Sequence, residues 1–196
     1  METKRIVFVG VGGQGNLLAT RLLGEACLAA GIPAVVSEIH GMAQRGGIVE
    51  SALVMGARSP IVSKGEADVL IGFEPSETLR ALDKCNKNTV VITNTHPLPP
   101  FTVATGQGVY PDIDKALGLI RSNVRSLIVL DGNELAEKAG NPLSLNMVML
   151  GALVGSKIIP LDEDRLKETI AESTKQEFLE SNLKAFDFGV VAAGTG

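Results

Sequence analysis

Gly10, Gly12, Gly13, Gln14 and Gly15 lie within "GVGGQG", which joins an apolar run to a helical pattern. The spacing Gly10-x-Gly12-x-x-Gly15 suits a turn where a phosphate meets bare backbone. The helix that follows aims its unpaired N–H groups and positive dipole end at the same point. The same glycines also suit a compact strand-to-helix turn that holds no ligand. A dinucleotide site further asks for an acidic residue near the end of the second strand to accept from the ribose hydroxyls. Glu38 falls close to that position, but "IHGMAQRGG" follows it at once. That is not a typical ribose-binding turn, so the sequence permits NAD without requiring it.

That stretch supplies the second candidate set: His40, Gln44 and Arg45, on backbone loosened by Gly41, Gly46 and Gly47. Arg45 can grip a carboxylate or phosphate with two parallel hydrogen bonds, and Gln44 can both donate and accept. The plainer readings are an Arg45 that ties the loop to a surface carboxylate and a His40 that is a hydrogen-bonded structural histidine.

Both sets must be carried by strands. "RIVFVG" predicts a first strand, and Leu18, Leu22, Ala26 and Ala29 predict a helix that stops at Gly31-Ile32-Pro33. "AVVSEI", "IVESALVMG", "ADVLIGF", "TVVITN" and "SLIVLDG" predict five further strands. Helices are expected to open at Pro75-Ser76-Glu77 and near Pro111-Asp112. Three more are expected across "SLNMVMLGALVGSKI", "LDEDRLKETIAEST" and the face formed by Leu179, Leu183 and Phe186. The final "VVAAGTG" is expected to be a loose tail or a partner-docking segment. The alternation predicts an α/β, Rossmann-like, doubly wound and mostly parallel sheet with C-terminal helices. In such a sheet ligands sit beyond the carboxyl ends of the strands. The glycine turn, "SEIHGMAQRGG" and "NTHPLPP" all fall on that edge.

Composition narrows the function. The chain has 196 residues, 45% of them hydrophobic and 4% aromatic, with no Trp. The core must therefore rely on Val, Ile, Leu and Ala, as strands buried on both faces do. The net charge of −4 without a basic block argues against a nucleic-acid partner. No apolar run reaches a membrane span and the N-terminus enters a strand directly, so a cytoplasmic protein without a membrane partner is expected. Cys27 and Cys85 are isolated. They cannot by themselves hold an iron–sulfur cluster or a structural zinc, and no metal site is expected.

"GVGGQG" followed by "SEIHGMAQRGG" resembles the γ-type subunits of thiamine-diphosphate-dependent 2-oxoacid:ferredoxin oxidoreductases, and within that family the β subunits of the indolepyruvate branch. The resemblance continues in order through "GEADVLIGFEPSETLRAL", "NTHPLPP", "NMVMLGAL" and "NLKAF". It implies one γ-type domain over residues 1–196, in a multisubunit enzyme that decarboxylates a 2-oxo acid, reduces ferredoxin and releases an acyl-CoA. The chain lacks the Gly-Asp-Gly start of a thiamine-diphosphate signature, and "LDGN" does not supply it. The resemblance therefore implies an accessory subunit, with thiamine diphosphate, magnesium and [4Fe–4S] on a larger partner. For this chain it implies coenzyme A, held through Gly10, Gly12, Gly13, Gln14, Gly15, His40, Gln44 and Arg45. A free-standing NAD(P)-dependent dehydrogenase using Glu38 and a nucleotide-binding regulatory module are the alternatives.

Overall fold

The computed structural model describes all residues other than 41–46, 100–102, 104, 107 and 195–196, and the backbone alone of His40. Six strands, β1 Lys4–Val11, β2 Ala34–His40, β3 Ile48–Met55, β4 Val69–Gly72, β5 Val90–Asn94 and β6 Ser126–Leu130, form one sheet in the order β2-β3-β1-β4-β5-β6. The pairs β1–β4, β4–β5 and β5–β6 are parallel, while β3 runs antiparallel to both neighbours. Five strands thus share one direction, and β3 is the exception.

Alternation along β1 explains its unbroken apolar run. Ile6 and Phe8 join one core with Leu53, Met55, Ile71 and Ile92, while Val7 and Val9 join the other with Ala52, Val54, Leu70 and Val91. Successive side chains point to opposite faces, so both faces are covered. α1 (Asn16–Ala29), α5 (Leu145–Gly155), α6 (Glu163–Ser173) and α7 (Gln176–Gly194) cover the first face. α2 (Pro75–Arg80), the 3-10 turn that extends it and α3 (Ile113–Asn123) lie over the second.

Helix boundaries follow their caps. Glu74, Asp112 and Asp162 each accept a hydrogen bond from the backbone N–H three residues ahead, starting α2, α3 and α6. α5 is apolar all round because it lies between the sheet and α7. A Cβ at Gly151 would strike the Phe186 carbonyl oxygen, and one at Gly189 would strike that of Val148. Only glycine lets these two helices approach so closely.

Three expectations need correction. Leu18 and Ala29 are exposed, and the buried stripe of α1 is Ala19, Leu22, Leu23, Ala26 and Cys27. Residues 190–194 are not a loose tail: α7 runs through Gly194, with Ala193 buried and Val190 packed on Gly155, while Thr195 and Gly196 lie outside the described residues. A helix missing from the sequence reading, α4 (Gly132–Lys138), follows β6, capped by Asp131.

Candidate functional site at the carboxyl edge of the sheet

α1 leaves β1 toward one face and α2 leaves β4 toward the other, so the crevice between β1 and β4 is where a doubly wound sheet takes ligands. Gln14 fills this crevice. Its Nε2 donates to the Phe73 carbonyl at 3.0 Å, and its Oε1 accepts from the Val11 N–H at 2.8 Å. Gly10 makes room for it: a Cβ there would lie 2.8 Å from Gln14 Oε1 and 2.9 Å from Phe73 Cβ. The Gly12 N–H donates to the Gly47 carbonyl at 2.9 Å and ties the turn to β3. Gly15 is left-handed at φ 82°, and its missing Cβ would press on Asn146 at 3.0–3.2 Å.

Gly13 differs. Its φ is +105°, it is exposed, and none of the described residues lies within 4 Å of where a Cβ would stand. Gly15 supplies no capping side chain, and among the first amides of α1 the Leu17 N–H donates to Asn16 Oδ1 at 3.0 Å. The turn therefore presents bare backbone and the positive end of a 14-residue helix to solvent at one point.

A polar rail continues along the edge. The Phe73 carbonyl also accepts from buried Asn94 Nδ2 at 2.9 Å, and the same nitrogen donates to Asn133 Oδ1 at 2.9 Å. Asn94 Oδ1 accepts from the N–H of Gly132 at 2.9 Å and of His96 at 3.3 Å. Two amide side chains, Gln14 and Asn94, thus bind the ends of β1, β4 and β5 to the start of α4.

Beside the rail stands Glu74, with no exposed surface. Its Oε2 accepts from Ser76 Oγ at 2.8 Å and the Glu77 N–H at 3.0 Å, and its Oε1 accepts from the Leu98 N–H at 3.3 Å and from the Tyr110 hydroxyl. Burial first, then the Glu74 carboxylate, pushes the Tyr110 phenol up, so it stays protonated and donates. Glu77 is raised chiefly by burial, and by Glu74 to a lesser extent, against the lowering effect of Arg80 at 3.3 Å. A cavity of about 370 Å³ opens alongside, lined by Ser76, Leu79, Arg80, Val109, Tyr110 and Pro111.

The five residues Gly10, Gly12, Gly13, Gln14 and Gly15 thus share the crevice, with Gln14's amide turned inward to backbone. His40 ends β2 opposite Val49. Gln44 and Arg45 lie outside the described residues. Glu38 does not suit a ribose: β3 stands between β1 and β2, which places Glu38 two strand spacings from the glycine turn instead of one, roughly 10 Å rather than 5 Å. Sequence reasoning missed Asn94, Asn133, Glu74 and Tyr110. The available signal was a polar residue at or just past the end of an apolar strand, in "VITN" and "IGFEP". Burial raises the thiols of Cys27 and Cys85 to about 12, so neither is an activated thiolate nucleophile at neutral pH.

The family model of pyruvate ferredoxin/flavodoxin oxidoreductase matches residues 5–192. An indolepyruvate oxidoreductase subunit IorB from Archaeoglobus fulgidus is 41% identical over 97% of this chain and 96% of its own length. The fold is shared with the γ subunit of a keto/oxoacid ferredoxin oxidoreductase from Geobacter sulfurreducens (TM-score 0.72, 22% identity, 98% and 99% of the two chains). It is shared also with a 2-oxoglutarate:ferredoxin oxidoreductase from Magnetococcus marinus, solved with 2-oxoglutarate, coenzyme A and succinyl-CoA bound (TM-score 0.77, 22% identity). There this chain covers 100% of itself and 32% of the larger chain. With a family match over nearly its whole length and a relative that is itself a subunit, the chain belongs to the pyruvate ferredoxin/flavodoxin oxidoreductase family, as a subunit of the indolepyruvate and 2-oxoacid:ferredoxin oxidoreductase kind and not as a free-standing NAD(P)-dependent dehydrogenase.

Proposed function

We propose that this chain, working in the cytoplasm as one γ-type domain over residues 1–196, is the coenzyme A-holding subunit of an indolepyruvate-type enzyme. A larger partner carries thiamine diphosphate, magnesium and [4Fe–4S], and ferredoxin meets the assembled complex. The partner's thiamine diphosphate would decarboxylate the 2-oxo acid, its clusters would pass the electrons to ferredoxin, and coenzyme A would accept the acyl group. The chain's own residues suit the last role. The observation that carries it is the uncapped start of α1 beside the open backbone at Gly13, a cradle for a phosphate at the carboxyl edge. Gly12, Gln14 and Gly15 hold that turn in shape, Gly10 gives the Gln14 clamp its space, and by their chemistry His40, Gln44 and Arg45 would add polar heads to the coenzyme site. Two isolated cysteines do not make the four-thiolate set of a [4Fe–4S] cluster. In the assembled enzyme Arg45→Lys keeps the charge but loses the planar fork. The coenzyme A KM should rise by about 10-fold or more, with oxo-acid decarboxylation retained. An unchanged KM in an intact complex would remove Arg45 from the site. The isolated chain should show no turnover with indolepyruvate, coenzyme A and ferredoxin.

A further inference from the structure

Glu74 is a buried carboxylate stabilised by donors instead of a cation: among the described residues no Lys, Arg or His is ion-paired with it. A carboxyl group is costly to bury unless it is hydrogen-bonded, and Glu74 accepts from four donors. Its donors come from three separate segments: the start of α2 (Ser76 and the Glu77 N–H), the turn after β5 (the Leu98 N–H) and the approach to α3 (Tyr110). Leu98 and Tyr110 meet the same oxygen, so Glu74 clasps both ends of the excursion that leaves the carboxyl edge after β5. Asn94 fixes that excursion's first step through the His96 N–H. With Leu98 held two residues further on, the exposed His96 stands between two anchors.

We propose that Glu74 is a positioning residue for the reaction of the assembled enzyme. Through Leu98 and Tyr110 it holds the His96–Leu98 turn over the carboxyl edge, beside the crevice that Gln14 closes. The shared Phe73 carbonyl supports this, because it ties the glycine turn and Asn94 to the residue next to Glu74. The inference rests on the reading above that the carboxyl edge is the site.

The test uses Tyr110→Phe, which removes one donor and keeps the ring, in the assembled enzyme. Thr20→Val serves as a control: it removes a buried hydrogen bond to Ser51, 2.6 Å long, between α1 and β3. Tyr110→Phe should speed exchange of the Leu98 and His96 amides by at least 10-fold. It should also raise KM for coenzyme A or for the 2-oxo acid several-fold, with kcat within twofold. Thr20→Val should lower the melting temperature to a similar extent and leave both KM values in place. Unchanged exchange at both His96 and Leu98, or faster exchange with both KM values unmoved, would overturn the proposal. Gly13→Ala in the same series tests the coenzyme A reading separately. If it leaves the coenzyme A KM unmoved while Tyr110→Phe raises that of the 2-oxo acid, the coenzyme reading falls and the positioning role stands.

Discussion

Replacing Gly13 by alanine separates a glycine kept for conformation from one kept for a ligand. At φ +105° an L-residue is strained, at a cost of about 1–2 kcal/mol. For a domain of this size each kcal/mol corresponds to roughly 2–4 °C, so the melting temperature should fall by about 2–8 °C. Among the described residues the new methyl meets no atom within 4 Å, so no packing clash with them adds to that loss. What the methyl does occupy is the space through which an anion would reach the backbone and the start of α1. Losing one charge-assisted hydrogen bond is worth roughly 1.5–3 kcal/mol, or about 10- to 150-fold in affinity. Steady-state kinetics of the assembled variant, with coenzyme A varied at saturating 2-oxo acid, should therefore show KM raised within that range and kcat nearly unchanged. A variant that loses the expected melting temperature yet keeps its coenzyme A KM would refute the reasoning, leaving Gly13 as a turn residue only.

Gly189→Ala should disrupt the α5–α7 contact, because the added Cβ strikes the Val148 carbonyl and neither backbone can turn aside. A loss of about 3 kcal/mol, roughly 6–12 °C by calorimetry, is expected; a loss below about 2 °C would mean the helices separate freely. Glu77 has its folded pKa raised above the ordinary value, so its ionisation lowers stability as pH climbs from about 4 through that raised value. Glu77→Gln should therefore gain on the parent protein in thermal melts as pH rises from about 4 to 7, and a relative loss over that range would contradict the assignment. Cys27 and Cys85, both at about 12, should resist iodoacetamide at pH 8 in the native protein and react in denaturant; rapid native alkylation would show either thiol to be accessible and ionised.

Much of the fold was legible because strand and helix periods differ and caps are local. The run "RIVFVG" requires burial on both sides, and Asp112 and Asp162 mark helix starts by a rule that needs no tertiary information. The direction of β3 was not legible, since "IVESALVMG" reads the same whichever neighbour it pairs with. Its place between β1 and β2, hidden for the same reason, decides against NAD, for it moves Glu38 a strand further from the glycine turn. The helical end of α7 was equally hidden: "VVAAG" is a weak helix on its own, and Gly155 and Gly189 hold it by close packing that no local pattern records. At the site, the glycine spacing pointed to the right turn but not to the division of labour within it. Gly10 and Gly15 serve packing, Gly12 ties the turn to β3, and Gly13 alone among the described glycines of the turn faces open space. Asn94 and Glu74 acquire their roles only when residues 21 and 36 positions away, respectively, come within hydrogen-bonding reach.

The central claim is that coenzyme A meets this chain at the uncapped start of α1. The most direct measurement is amide hydrogen exchange of the assembled enzyme with and without coenzyme A, read residue by residue over 12–18 in the intact complex. The account predicts slower exchange at Gly13 and at the first amides of α1 when coenzyme A is present, and loss of that protection in Gly13→Ala. Protection confined to the partner subunit, with residues 12–18 exchanging at the same rate in both states, would contradict it.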